Sequence, residues 1–203
     1  DLGTCFYVDG DALDEGDGSV EHPFQTIQKA LDVTSEGDTV RVLAGVYREP
    51  VVLVSGVALL GVGPDFTFLD GEGKRGVVQI TNVEKVVVDG FAIVRGQGRP
   101  GPSGSPFGGI LVENARHIQI THNLISGNIA MWYGGGISCI NVDSTVVIGN
   151  NLIVGNKIKV FVSDQFCPTP CVSWNVKHLK ATAGIMITAS HNHKDDNGIK
   201  IVE

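Results

Sequence analysis

Aromatic residues are scarce, 6% of 203, and the four cysteines, Cys5, Cys139, Cys167 and Cys171, are too few for a disulfide-stapled scaffold. No apolar run approaches the length of a membrane-crossing helix, and no basic stretch leads into an apolar one near the start. Positive charge is also short: 15 Lys and Arg face 22 Asp and Glu, a net charge of −7. A surface of that sign repels phosphate backbones and anionic headgroups, so neither nucleic acid nor a membrane is the expected partner. Helical periodicity is missing between positions 50 and 156, which excludes a doubly wound α/β fold there.

Glycine is abundant, at 27 residues, and goes with Val- and Ile-rich stretches that suit short strands and tight corners. Three stretches repeat one pattern. Gly76-Val77-Val78-Gln79-Ile80 precedes Val86-Val87-Val88-Asp89-Gly90-Phe91; Gly109-Ile110-Leu111-Val112 precedes His117-Ile118-Gln119-Ile120; Gly136-Ile137-Ser138-Cys139-Ile140 precedes Thr145-Val146-Val147-Ile148. The last two end alike, in Asn123-Leu124-Ile125-Ser126-Gly127-Asn128 and Asn151-Leu152-Ile153-Val154-Gly155-Asn156, while a Gly/Pro/Ser insert from Gln97 to Phe107 lengthens the first. Such a unit cannot bury its inward face alone, but stacked units form a continuous apolar column. Asn and Gly at the corners tolerate positive φ, and Asn amides can ladder from one turn to the next. The expected fold is therefore all-β, a right-handed parallel β-helix. Residues 1–50 form its N-terminal cap and first turn, and 51–156 its remaining turns. Helical spacing over Pro23–Leu31 supplies the cap that a solenoid end requires.

Tyr7-Val8-Asp9, the Asp/Gly-rich loop through Asp17-Gly18, Pro23-Phe24-x-Thr26-Ile27 and Gly45-Val46-Tyr47-Arg48-Glu49 resemble secreted β-helix proteins of the pectate-lyase-like superfamily. That resemblance implies the fold and an extracellular, carbohydrate-directed setting; its members include lyases, hydrolases and binding modules, so it leaves the activity open. Asp9, Asp11, Asp14, Glu15 and Asp17 are hard oxygen ligands suited to calcium, or the carboxylates of a solvated turn. Lyase chemistry of this superfamily needs acids beside a base, for which Asp65, Asp70, Glu72, Lys74 and Arg75, with Asp89 and Arg95 one turn on, are the nearest residues. Trp132 and Tyr133, beside Gly134-Gly135-Gly136, offer flat apolar faces for a sugar ring or a packed corner.

From Lys157 the texture changes. Ile158–Val162 reads as a strand, Thr169-Pro170 as a helix start with an apolar stripe Val172, Val176, Leu179, and Gly184–Thr188 as a second strand, so 157–203 is expected to form a βαβ-like segment. Being too small to be stable alone, it is expected either to cover the last turn near Ile148–Val154 or to stay poorly ordered. Cys167 and Cys171 with His178, His191 and His193 lack finger spacing for zinc.

Pro168-Thr169-Pro170, Ala183-Gly184-Ile185-Met186-Ile187-Thr188-Ala189-Ser190-His191-Asn192 and Asp196-Asn197-Gly198-Ile199-Lys200 resemble the first domain of α-D-phosphohexomutases. The resemblance implies that Ser190 carries a phosphoryl group, donates it to a sugar phosphate and helps hold Mg²⁺, with His191 and Lys200 lining the site. It also implies a cytoplasmic setting, at odds with the secreted one above. His193 stands where the family has proline, which loosens the loop. The family's metal, sugar and phosphate-binding loops are not among the matching residues, so mutase turnover is not expected from these residues alone. Three functions stay open: a carbohydrate-binding β-helix, a phosphohexomutase fragment, and a polysaccharide lyase or hydrolase.

Overall fold

The computed structural model describes residues 3–98, 107–130, 133–158, 184–188 and 198–202. The chain divides into two compact units, Asp1–Lys159 and Val160–Glu203.

The first unit begins with β1 (Cys5–Val8) and α1 (Ile27–Val33), the one helix among the described residues. The chain then winds through four turns. They comprise β2 (Thr39–Val42), β3 (Gly45–Tyr47) and β4 (Val51–Val52); β5 (Ala58–Gly61), β6 (Thr67–Asp70) and β7 (Val78–Thr81); β8 (Glu84–Asp89), β9 (Ala92–Val94) and β10 (Ile110–Glu113); β11 (Arg116–Thr121), β12 (Leu124–Ser126), β13 (Ile129–Ala130) and β14 (Ile137–Ile140). A further turn holds β15 (Val147–Gly149), β16 (Leu152–Val154) and β17 (Lys157–Ile158). Strands do not pair with their chain neighbours but with their equivalents one turn away. The first sheet runs β1-β2-β5-β8-β11-β15, the second β3-β6-β9-β12-β16 and the third β4-β7-β10-β14. All these pairings are parallel. The parallel β-helix expected from the repeats is the fold.

Register turns the repeat into a core. Val40, Leu59, Val88 and Ile120 are aligned on the first sheet and fully buried. Tyr47, Leu69, Ile93 and Ile125 stack likewise on the second, and Val51, Val78 and Ile110 on the third. Each buried Val, Leu or Ile contributes roughly 1.5–3 kcal/mol of transfer free energy. In the last turn the equivalent Ile148 and Ile153 are 39% and 47% exposed.

The corners are held by amides. Asn123 is buried: its Oδ1 accepts from the Phe91 N–H, and its Nδ2 donates to Val88 O and to Asn151 Oδ1, 3.1 Å away. Asn128 repeats the arrangement, accepting from Gly96 N and donating to Ile93 O and Asn156 Oδ1. The two pairs are each 28 residues apart, the spacing of the repeat. The glycine run beside Tyr133 has a packing cause, since a Cβ on Gly135 would collide with the Lys157 carbonyl of the next turn.

The cap differs from expectation at its start. Phe24 stays extended, because its N–H donates to Tyr7 O and its carbonyl accepts from Asp9 N. The helix begins only after Thr26, whose side chain accepts from Lys29 N. Glu49 then supplies both carboxylate oxygens to the free N–H groups of Ile27 and Gln28, at 2.9 and 3.0 Å. Negative charge there also complements the helix dipole. Ile27, Ala30 and Leu31 face the core. Buried Tyr47 donates to Leu43 O and accepts from Gly10 N; burial pushes its hydroxyl pKa up to about 12.

In the second unit the expected strand over Gly184–Thr188 is present as β18, and it pairs antiparallel with β19 (Gly198–Val202). The helix expected from Thr169 to Lys180 lies outside the described residues. Of the strand expected over Ile158–Val162, only Ile158 is described, in β17, and it pairs with Ala130 of β13. No helix among the described residues is long and apolar enough to cross a membrane.

Replacing Asn128 with Ala would take the side-chain acceptor from the buried Gly96 N–H and one donor from Ile93 C=O. Denaturant unfolding should show a loss of about 1–3 kcal/mol, the cost of leaving a buried donor unsatisfied. Arg116→Ala on the exposed side of the same solenoid should change stability by less than about 0.5 kcal/mol.

Candidate functional site

Three corners join the sheets. The one between the second and third sheets gathers most of the charged residues singled out from sequence. It starts from Asp70, the last residue of β6, whose side chain is only 3% exposed. A carboxylate buried this far needs strong partners. Arg95 provides them with Nε, 2.9 Å from Oδ1, and with a second bond from its other guanidinium end to Oδ2. The Glu72 N–H donates to Oδ1 at 2.8 Å, and Arg48 Nε lies 3.9 Å from Oδ2. Burial by itself would raise the pKa of Asp70. The Arg95 hydrogen bond, the Glu72 N–H and the charges of Arg95 and Arg48 outweigh it and hold the carboxyl below its ordinary 3.8.

Around this anchor the turn Asp70–Arg75 folds back. Glu72 takes Arg75 at 2.7 Å and Lys74 at 3.2 Å, and Arg75 also donates to the Arg48 carbonyl. Lys74's hydrogen bond holds the Glu72 carboxyl below its ordinary pKa. Four cations, Arg48, Lys74, Arg75 and Arg95, thus surround two carboxylates, a local surplus of two positive charges on a chain of net charge −7. Arg75 Nε has no protein acceptor among the described residues. Tyr133, 37% exposed, belongs to the same corner one turn beyond Arg95, between β13 and β14. Trp132 lies outside the described residues.

The structure does not bring every expected residue here. Asp65 and Asp89 sit at the corner between the first and second sheets. Asp89 there accepts from Thr121 Oγ1 at 2.6 Å and from His122 Nδ1 at 2.7 Å. Arg48 was the member that sequence reasoning left out. It follows β3, and extending the β3–β6 register puts it level with Asp70 on the neighbouring turn, which becomes visible once the turns are aligned.

The acidic loop, for which the sequence leaves calcium and a solvated turn both open, forms turns. Asp9 accepts from Asp11 N, Asp17 from Ser19 N, and Glu15 pairs with Lys29 at 3.0 Å. No cluster of three or more metal-ligating side chains occurs among the described residues. Ser190 and His191 lie outside the described residues; Lys200 lies in β19, opposite Met186. Cys5 and Cys139 are exposed free thiols.

Residues 143–203 match the family described as phosphoglucomutase/phosphomannomutase, alpha/beta/alpha domain I. That match is confined to the last turn of the solenoid and the second unit. The phosphoglucomutase of Staphylococcus epidermidis is 51% identical over 51 residues, covering 25% of this chain and 9% of that protein. The glucose 1,6-bisphosphate synthase of Mus musculus is 48% identical over 50 residues, 25% of this chain and 8% of that protein. The chain therefore spans less than a tenth of the length of these relatives. Among solved structures, a pectin methylesterase mutant in complex with a hexasaccharide aligns with a TM-score of 0.47 at 14% identity, covering 74% of this chain and 55% of that one. The Aspergillus niger pectin methylesterase aligns at 0.40 and 19%, covering 75% and 57%. The β-helix assignment rests on the strand register described above.

The sign of the Asp70 shift fixes its pH signature. A carboxyl held below its ordinary value contributes stability that is full above that value and lost as pH falls through the folded-state pKa. Asp70→Asn should cost about 2 kcal/mol at pH 7, the scale of a hydrogen bond to a charged group. The gap between variant and parent in thermal or urea unfolding should close as pH drops below 3.8.

Proposed function

We propose that the β-helix, residues 1–156, is a carbohydrate-binding module that takes acidic sugar chains at the corner between its second and third sheets. Residues 157–203 are a separate phosphohexomutase-like segment. The observation that supports this reading is the cationic surplus around the buried Asp70 carboxylate, with exposed Tyr133 on the connection between the same two sheets one turn on. Guanidinium forks suit carboxylate or sulfate groups on a sugar, and Tyr133, with Trp132 beside it in the chain, supplies a face for the ring. A lyase or hydrolase would need a free acid and base. Asp70 and Glu72 are both committed to cations, which gives this corner binding groups in place of a reacting pair.

Tyr133→Ala and Arg95→Gln should each weaken retention on polygalacturonate in affinity electrophoresis by about tenfold or more, a loss of about 1.4 kcal/mol. An intact protein that migrates freely through every acidic polysaccharide would refute the reading.

The identity over 51 residues favours a second reading, for the tail alone: Ser190 accepts a phosphoryl group from a sugar bisphosphate, with His191 and Lys200 nearby. Mg²⁺ would be held there through the phosphoserine and would neutralise charge on the transferring group. The chain spans less than a tenth of the length of these relatives, so sustained mutase turnover is not part of this proposal. Intact mass after incubation with glucose 1,6-bisphosphate and Mg²⁺ tests it. A single phosphoryl gain that disappears in Ser190→Ala supports a reactive serine; no gain makes the segment inert.

A further inference from the structure

The corner between the third and first sheets carries a different set of groups. Asn82, Asn114 and Asn141 each follow the last residue of a register-matched strand, and Ser55 takes the same position when the register of β4 is extended. All four are exposed. The three asparagines adopt left-handed φ of 57°, 49° and 49°, so their side chains leave the corner the same way. Asn141 Nδ2 donates to Asn114 Oδ1 at 2.6 Å, and Asn114 Nδ2 donates to Asn82 Oδ1 at 3.1 Å. This is the buried amide ladder of Asn123 and Asn151 turned outward. Inside the solenoid such amides bond both to each other and to backbone groups; here the side-chain bonds run from amide to amide. Each amide has two N–H donors and two acceptor lone pairs, so the row keeps hydrogen-bonding capacity facing solvent. The pitch of the row is the strand spacing, about 4.7–4.9 Å.

The ladder borders a shallow groove of about 390 Å³ lined by Ser55, Asn82, Val83, Glu84, Asn114 and Arg116. Half-buried Val83 gives it an apolar element. Glu84 and Arg116 are register partners on adjacent strands, and neither is engaged in an ion pair among the described residues. One carboxylate and one guanidinium cancel in charge while adding a strong acceptor and a planar fork of donors. Alternating donors and acceptors, no net charge and an apolar element suit a row of hydroxyls and the C–H face of a ring. They do not suit an anion, unlike the cationic corner.

We infer that this groove binds a neutral polysaccharide chain lying parallel to the solenoid axis, with successive sugar hydroxyls bridging Asn82, Asn114 and Asn141, and Glu84 and Arg116 at the rim. The inference shares the carbohydrate reading of the solenoid but uses none of the groups at the cationic corner. The ladder is made before the ligand arrives, so little side-chain freedom is lost on binding.

Affinity electrophoresis of the full chain through gels holding hydroxyethyl cellulose, glucomannan, arabinogalactan or polygalacturonate tests the groove. The parent should be retarded by at least one neutral polymer. Asn114→Gly keeps the left-handed corner accessible while deleting the central amide, and Arg116→Gln alters only an exposed rim group. Each should weaken that retardation at least tenfold with an unchanged melting temperature, while Arg95→Gln should leave it intact. Free migration through all three neutral gels overturns the inference, as does retardation that survives both groove variants. Retardation by polygalacturonate alone, abolished by Arg95→Gln, also overturns it while sustaining the cationic corner. Retardation by neutral polymer without any by polygalacturonate does the reverse.

Discussion

A turn of this solenoid can satisfy its backbone only through the turns above and below it. Every strand from β2 to β12 is too short to be stable alone, and its N–H and C=O groups point along the axis, toward equivalents about 4.8 Å away. The stacking of equivalent positions, such as Asn123 and Asn151 28 residues apart, is therefore a physical requirement. It brings inward residues into contact with inward residues, and amides into bonding distance of amides. The helix α1 and its carboxylate cap from Glu49 close one end of that stack. The outward-pointing corners are what remains free to vary.

That separation of roles is clearest in the asparagines. At Asn123 and Asn128 the amide is buried and its donors and acceptor are taken by the chain. At Asn82, Asn114 and Asn141 the same residue type bonds to its own copies on the exposed side. Likewise Asp70 is an acid in name but a structural counter-ion in practice. Its buried carboxylate orients Arg95 and, through Glu72, the turn that bears Lys74 and Arg75. Both corners present polar side chains already held by hydrogen bonds, one set cationic and one neutral.

Much of this was legible in the sequence because a repeat is a local signal multiplied. The matching endings Asn123–Asn128 and Asn151–Asn156 set the pitch, and the alternation around Val88 and Ile120 marked the inward face. Arg48 escaped notice because it lies 22 positions from Asp70 and no spacing rule ties the two until the turns are superposed. The helix start was misjudged at Pro23 because the pairing of Phe24 with β1 is a tertiary contact that overrides helical spacing. In the tail, the strand at Gly184–Thr188 was readable as a buried apolar run, whereas its antiparallel partner β19 depends on pairing across a loop.

Contiguous residues are enough to establish that the first unit is a stack of short parallel strands and that the stretch near Ser190 follows a phosphohexomutase pattern. Periodicity carries the one and a motif carries the other, and both are local. Which charged residues share a surface is a matter of register, and register is tertiary. Between β2 and β16, one turn of the solenoid separates register neighbours by 19 to 32 positions in the chain. The grouping of Arg48, Asp70 and Arg95, the exile of Asp89 to another corner and the outward ladder of Asn82, Asn114 and Asn141 therefore exist only once the turns are stacked.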